Sequence, residues 1–265
     1  MIASQWGGVA GAATIAPARR VIQPALPLRA RYRILFSMIQ SWLRVSSSRC
    51  AACGALLLTA CASMGGRESL ISDRPDFTES TATIAPRHVQ IETGATVSRE
   101  GPTSSRAIGE LLVRSGLSSR LELRLAGNSW VREKTGGAVN TGREDAAIGV
   151  KLKLADGSDA PSWSPELSVI AHTTVPSGSQ PFRAARMQPE LKFLSAWTIT
   201  SRLGFAANLN VGRSYNGSRH FTEYAGSGSF GFSANERIGV YAEAFAFAPQ
   251  DGSKVILKFV NSGIT

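Results

Sequence analysis

The sequence predicts an all-β protein, an antiparallel up-and-down transmembrane β-barrel with about nine to ten strands present. Apolar and polar residues alternate along most of residues 88–265. Because successive side chains of a strand point to opposite faces, each segment has one apolar and one polar face. The segments are about eleven residues long, which matches a tilted membrane strand and exceeds the usual five or six residues of soluble sheets.

The alternation is clearest at residues 148–154, which read Ile-Gly-Val-Lys-Leu-Lys-Leu. Tight links, such as 199–202, alternate with longer ones, such as 132–144 and 176–187, as in outer-membrane barrels. Near the end, residues 255–259 fit a tenth strand, and a frameshift or truncation before barrel closure fits as well. The nine predicted strands are 88–98, 106–116, 121–131, 145–155, 164–175, 188–198, 203–213, 220–233 and 238–248.

The charge distribution argues against a nucleic-acid-binding domain. The net charge is +10 and the pI about 10.2, but residues 1–66 hold seven arginines and no acidic residue. The remaining residues carry 22 basic and 19 acidic groups, which is close to balance. All three cysteines also lie in residues 1–66, so we expect no cysteine-based metal site or nucleophile in the body.

The start of the chain predicts export. Arg44 and Arg49 precede a short apolar run that ends in small residues, the layout of a secretory signal peptide. Cleavage after Ala62 would remove every cysteine, whereas Leu-Thr-Ala-Cys61 would make a lipoprotein acylated at Cys61. The predicted organisation is an upstream, disordered extension (1–37), a signal peptide (38–62), an N-terminal periplasmic segment (63–87) and the barrel (88–265).

Charged residues on the polar faces are the candidate site. Both signs occur, so the parity predicts salt-bridge ladders inside the barrel, lining an open channel or filling a plugged one. No catalytic motif, metal-ligand spacing or nucleotide-binding loop is found, and we expect neither enzymatic activity nor a cofactor. The predicted lumen-lining residues are Glu110, Arg114, Glu122, Arg124, Lys151, Lys153, Glu190, Lys192, Glu223 and Glu243.

A short motif carries a family resemblance. Residues 70–80 read Leu-Ile-Ser-Asp-Arg-Pro-Asp-Phe-Thr-Glu-Ser, which resembles the N-terminal signature of a known family. Residues 120–124, 174–178 and 188–192 resemble later parts of the same family's sequences. The chain resembles, over about residues 70–250, the "Putative MetA-pathway of phenol degradation" family. The resemblance implies an outer-membrane barrel that passes small hydrophobic or aromatic molecules. The motif residues are Asp73, Arg74, Pro75, Asp76, Phe77, Thr78 and Glu79.

The sequence therefore favours a porin-like channel of a Gram-negative outer membrane. The partners that this function implies are outer-membrane lipid, the barrel assembly machinery and a small-molecule solute, with no nucleic acid. Three alternatives remain open: a lipid-anchored periplasmic β-sandwich that binds a ligand, a secreted β enzyme, and a truncated barrel without function.

Overall fold

The computed structural model describes residues 72–73, 77–127, 129–158, 163–235, 238–253 and 255–264, and their regular structure is entirely β-strand. No helix among these residues is long and apolar enough to cross a membrane. Predictions for the leader, the signal peptide and Cys61 lie outside them. The strands are β1 (Val89–Glu92), β2 (Ala95–Glu100), β3 (Thr103–Ile108), β4 (Leu112–Gly116), β5 (Leu121–Ala126), β6 (Trp130–Thr135), β7 (Ala138–Arg143), β8 (Ala146–Ala155), β9 (Glu166–Val175), β10 (Gln188–Thr198), β11 (Leu203–Tyr215), β12 (His220–Asn235), β13 (Ile238–Pro249) and β14 (Leu257–Ile264).

Ten of these strands form one antiparallel sheet, in the order β1-β4-β5-β8-β9-β10-β11-β12-β13-β14. The register places apolar residues beside apolar residues and polar residues beside polar residues, as the alternation requires. Leu125 lies opposite Ile148 on one face, and Glu122 lies opposite Lys151 on the other. The predicted all-β, up-and-down, antiparallel fold is confirmed, and the segment near the C-terminal end does form a strand, β14, which pairs with β13.

The remaining four strands form a second sheet, in the order β2-β3-β6-β7. This corrects the predicted boundaries, because the segments 88–98, 106–116 and 121–131 each contain parts of two strands rather than one. It also corrects the predicted loop 132–144, most of which is the hairpin of β6 and β7. The alternating pattern continues on both sides of each break and therefore does not reveal it.

Glycines lie where the strands of the two sheets join. The backbone N–H groups of Gly109 and Glu110 both donate to the carbonyl of Gly94, each at 3.2 Å, and Gly109 has a φ of +77°. A residue with a side chain rarely adopts that φ. The N–H of Gly127 donates to the carbonyl of Leu111 at 2.8 Å. Backbone hydrogen bonding thus continues through the joins, and the four-stranded sheet extends β1, β4, β5 and β8.

The two faces of the ten-stranded sheet differ in chemistry. The face that we call the inner face carries charged side chains that are almost fully buried, including Arg114, Glu122 and Lys151, each 0% exposed. The opposite, outer face carries large apolar side chains that are open to the surroundings, such as Leu209 and Phe193. This arrangement is the reverse of a soluble β-sandwich, in which the apolar face is buried.

Contacts made by one short segment show that the sheet curls. Glu79 forms ion pairs with Arg124 on β5 and Lys192 on β10, while the adjacent Thr78 N–H donates to Glu243 on β13. In a flat sheet β5 and β13 would be six strand spacings, or about 29 Å, apart. Side chains reaching from one residue pair cannot span that distance, so the inner face wraps around this segment.

Candidate functional site

The site consists of the inner face together with the segment that runs along it, residues 72–73 and 77–85, which we call the strap. The sequence predicts that residues 63–87 form an N-terminal periplasmic segment. The described strap residues lie against the inner face, where Asp73, Phe77 and Glu79 are buried. The physical reason is electrostatic, because Asp73 and Glu79 pair with buried cations of the inner face.

Asp73 is bound by three of these cations. Its carboxylate lies 2.5 Å from Arg124 Nη1, 2.8 Å from Lys151 Nζ and 3.5 Å from Arg114 Nη1. It also accepts hydrogen bonds from the N–H and hydroxyl of Ser80, at 3.0 and 2.6 Å. Asp73 is therefore an anion enclosed by positive charge, a state that buried carboxylates reach only with such partners.

Glu79 binds the next cations along the inner face. Its two carboxylate oxygens each lie 2.6 Å from a cation, one from Lys192 Nζ and the other from Arg124 Nη2. Arg124 thereby joins Asp73 and Glu79 into one network. Two acids of the motif, Asp73 and Glu79, are thus counter-ions of the inner face.

The sheet itself supplies the rest of the neutralising charge. Arg114 makes a two-point contact with Glu122, at 2.9 and 3.0 Å, and a third with Glu92 at 3.2 Å. Such paired geometry is characteristic of arginine and carboxylate. Among the described residues, the four buried cations Arg114, Arg124, Lys151 and Lys192 are thus paired, within 3.5 Å, with two carboxylates from the sheet and two from the strap.

The strap also inserts an aromatic ring. Phe77 stacks on Phe245 with ring centroids 4.7 Å apart and meets Phe247 edge-on at 5.1 Å. Phe245 stacks in turn on Phe259 of β14 at 5.0 Å. Lys192 Nζ lies 6.0 Å from the centre of the Phe77 ring, within the range of a cation–π contact. The same ammonium therefore faces both the ring of Phe77 and the carboxylate of Glu79.

A cavity of about 720 Å³ adjoins the strap at the short-turn end of the sheet. Thr78, Glu79 and Ser80 form its wall on the strap side. On the sheet side, small inner-face residues leave the space open. They are Ala196, Gly204, Ala206, Ser229, Gly231, Ser233 and Gly239.

The structure brings together half of the predicted lumen-lining residues. Arg114, Glu122, Arg124, Lys151 and Lys192 form the network, in which the predicted salt-bridge ladder takes the form of a closed cluster around the strap. Glu243 lies apart from it and accepts the backbone N–H groups of the strap and the amide of Asn261 at 2.8 Å.

The other predicted residues take no part in the network's contacts within 3.5 Å. Lys153 pairs with Glu166 at 2.6 Å near the short-turn end. Glu190 contacts His172 at 3.0 Å, and Glu110 and Glu223 are buried elsewhere on the chain. Within the described part of the chain no group of three or more His, Cys, Asp or Glu side chains is placed to hold a metal. Of the motif, Arg74, Pro75 and Asp76 lie outside the described residues.

Several inner-face residues were not selected from the sequence. Phe245 and Phe247 share the parity of Glu243, and Glu92 occupies the polar face of β1. Alternation signals all three, but the predicted set holds only charged residues and so lacks Phe245 and Phe247, and it lacks Glu92 although this residue is charged and lies on the predicted strand 88–98. Strand periodicity does not predict the contact of the strap with the sheet. That contact depends on pairs of opposite charges that lie far apart in the sequence, from Asp73 to Lys192.

Two loop carboxylates have lowered pKa values. A hydrogen bond from Lys153 and the charge of that ammonium hold the pKa of Asp156 below its ordinary value. Hydrogen bonds from the Ser253 side chain and backbone do the same for the pKa of Asp251. Asp156 follows β8 and Asp251 follows β13, at opposite ends of the sheet. Both ends therefore carry anions at neutral pH.

The comparisons with known proteins agree with the motif. The model of the "Putative MetA-pathway of phenol degradation" family matches residues 72–256, and the chain belongs to this family. Among curated proteins, no relative matches the sequence.

Two solved structures of OmpT, an outer-membrane protein of Vibrio cholerae folded in vitro, are similar to part of the chain. One gives a TM-score of 0.35 at 10% identity and covers 64% of this chain and 61% of that one. The other, in its trimer form, gives 0.37 at 11% identity and covers 64% and 62%. The chain thus spans less than two thirds of either structure.

Proposed function

We propose that this chain is an outer-membrane β-barrel channel for small hydrophobic or aromatic molecules. The observation that carries the proposal is the inversion of the two faces of the ten-stranded sheet. An apolar face open to the surroundings needs lipid, whereas a buried ionic face needs an enclosed interior. Family membership supports the same function.

The exposed apolar side chains continue from strand to strand around the outer face. Exposed apolar area of this extent on one face is not expected on a soluble monomer. A lipid bilayer would cover this area. Because lipid tails form no hydrogen bonds with backbone N–H and C=O groups, the strands have to pair with one another. The exposed residues include Val89, Ile91, Leu125, Ile148, Val150, Leu152, Leu167, Phe193, Leu209, Tyr224, Phe230, Val240, Val260 and Ile264.

Insertion into the outer membrane would follow export and use the barrel assembly machinery. The solute class rests on two supports, the description of the family and the rings of Phe77, Phe245 and Phe247 on the inner face. The cavity beside the strap would form one mouth of the channel.

A charge on the outer face tests the proposal. Val150 points outward from the middle of β8, so Val150→Arg should cost about 2–4 kcal/mol of folding free energy in a bilayer. We expect the original chain to fractionate with the outer membrane and to show a folded gel band that shifts on boiling. Val150→Arg should lose most of that band.

Trp163→Arg is the matched control, since Trp163 lies in a loop and is 96% exposed. It should retain the heat-shifted band. If Val150→Arg folds as well as Trp163→Arg, the outer face does not meet lipid and the channel function fails.

A further inference from the structure

We propose that the inner face contains a binding site for a small aromatic carboxylate, and that Phe77 and Glu79 of the strap occupy this site in the structure. The proposal rests on the channel function and names the class of solute more narrowly. It starts from the pairing of one ring and one anion, two residues apart, on complementary partners. The ring lies among Phe245 and Phe247, and the carboxylate lies on Lys192 and Arg124.

The partners of Glu79 belong to the sheet and not to the strap. Lys192 and Arg124 are each 1% exposed, and their long side chains converge on one carboxylate from β10 and β5. Once Glu79 leaves, the carboxylate that remains near Lys192 among the described residues is that of Glu190, 4.0 Å away. An anion would therefore be required at the same position, because an uncompensated buried charge is costly.

The ring site is likewise built by the sheet. Phe245, Phe247 and Phe259 contact one another across β13 and β14 without any help from the strap. Phe77 adds a fourth ring to a surface that already exists. Since Lys192 Nζ faces both the Phe77 ring and the Glu79 carboxylate, one molecule with a ring and a carboxylate can satisfy both subsites.

Access is provided by the cavity of about 720 Å³. Its wall includes Glu79, so a solute that enters from the short-turn end meets the strap at one of the two residues that fill the site. Solute and strap then compete for the same cations. An aromatic alcohol would match the rings but would not replace the carboxylate that Lys192 and Arg124 share, and a simple carboxylate would do the reverse.

Chemical rescue of the full chain, folded in detergent micelles, tests this competition. Glu79→Gln keeps the shape of the side chain but removes the anion, so it should lower the unfolding midpoint. Phenylacetate should restore that midpoint and bind Glu79→Gln about tenfold more tightly than the original chain by calorimetry. 2-Phenylethanol and acetate, at equal concentration, should restore much less.

Asp156→Asn is the matched control, because it also removes one negative charge but from an exposed ion pair with Arg120. Phenylacetate should not alter its unfolding midpoint. If phenylacetate fails to bind Glu79→Gln, or if 2-phenylethanol binds equally well, the proposal is overturned. Should Glu79→Gln not fold without ligand, refolding with and without phenylacetate gives the same comparison.

These outcomes are separate from the channel function. Binding and rescue are measured in micelles and need no ion current or transport. A chain that inserts and conducts but ignores phenylacetate would leave the channel function standing and remove the aromatic carboxylate site. A chain that binds phenylacetate but fails the Val150→Arg test would leave the aromatic carboxylate site standing and remove the channel function.

Discussion

The two halves of the inner face carry different kinds of side chain. From β4 to β10 many of the side chains are long and charged, and the strap completes their pairing through Asp73 and Glu79. From β11 to β13 many are Gly, Ala or Ser, and a cavity remains beside them. One half thus holds the strap by ion pairs, whereas the other half contacts it through Phe245 and Glu243 and leaves a cavity beside it.

The charged half should show the largest effect when it is broken. Arg124→Gln removes the cation shared by Asp73, Glu79 and Glu122. Losing one partner of a buried ionic cluster costs about 3–5 kcal/mol, and we expect that loss in the free energy of unfolding by urea in micelles. Arg120→Gln is the control, since its pair with Asp156 is exposed. Equal effects of the two variants would show that the network does not hold the strap.

Substitutions in the small-residue half should change transport and have little effect on stability. Ala206 lines the cavity on the inner face, while its neighbour Ala207 faces outward. Ala206→Trp should fill part of the cavity and lower single-channel conductance several-fold, because a tryptophan side chain occupies space that the solute would use. Ala207→Trp should leave conductance unchanged. If both variants had the same conductance, the solute would not pass through this cavity.

Much of this contrast could be predicted from the sequence. Strand alternation assigns Arg114, Arg124, Lys151 and Lys192 to one face, since it depends only on local geometry. The composition of β12, with glycine and serine between aromatic residues, also indicates a sparsely filled face. What the pattern could not predict is the position of the strap, which depends on charges brought together from distant strands.

The breaks between the two sheets escaped prediction for a related reason. Residues 88–98 alternate without interruption, yet the strand ends at Glu92 and a new one begins at Ala95. The change depends on the carbonyl of Gly94, which accepts the N–H groups of Gly109 and Glu110 in the link between β3 and β4. Pairing between strands decides such joins, and a single strand's periodicity carries no information about its partner.

The smallest effect should come from a hydroxyl–hydroxyl hydrogen bond that links the strap to the sparsely filled half. Thr78 Oγ1 donates to Ser227 Oγ on β12 at 2.8 Å. Thr78→Val removes this bond with little change of shape, and a typical neutral hydrogen bond contributes about 0.5–1.5 kcal/mol. Ser227→Ala should cost a similar amount, and the double variant should cost little more than either, as measured by urea unfolding. Additive losses would mean that the two hydroxyls act independently, so this hydrogen bond would not help to hold the strap.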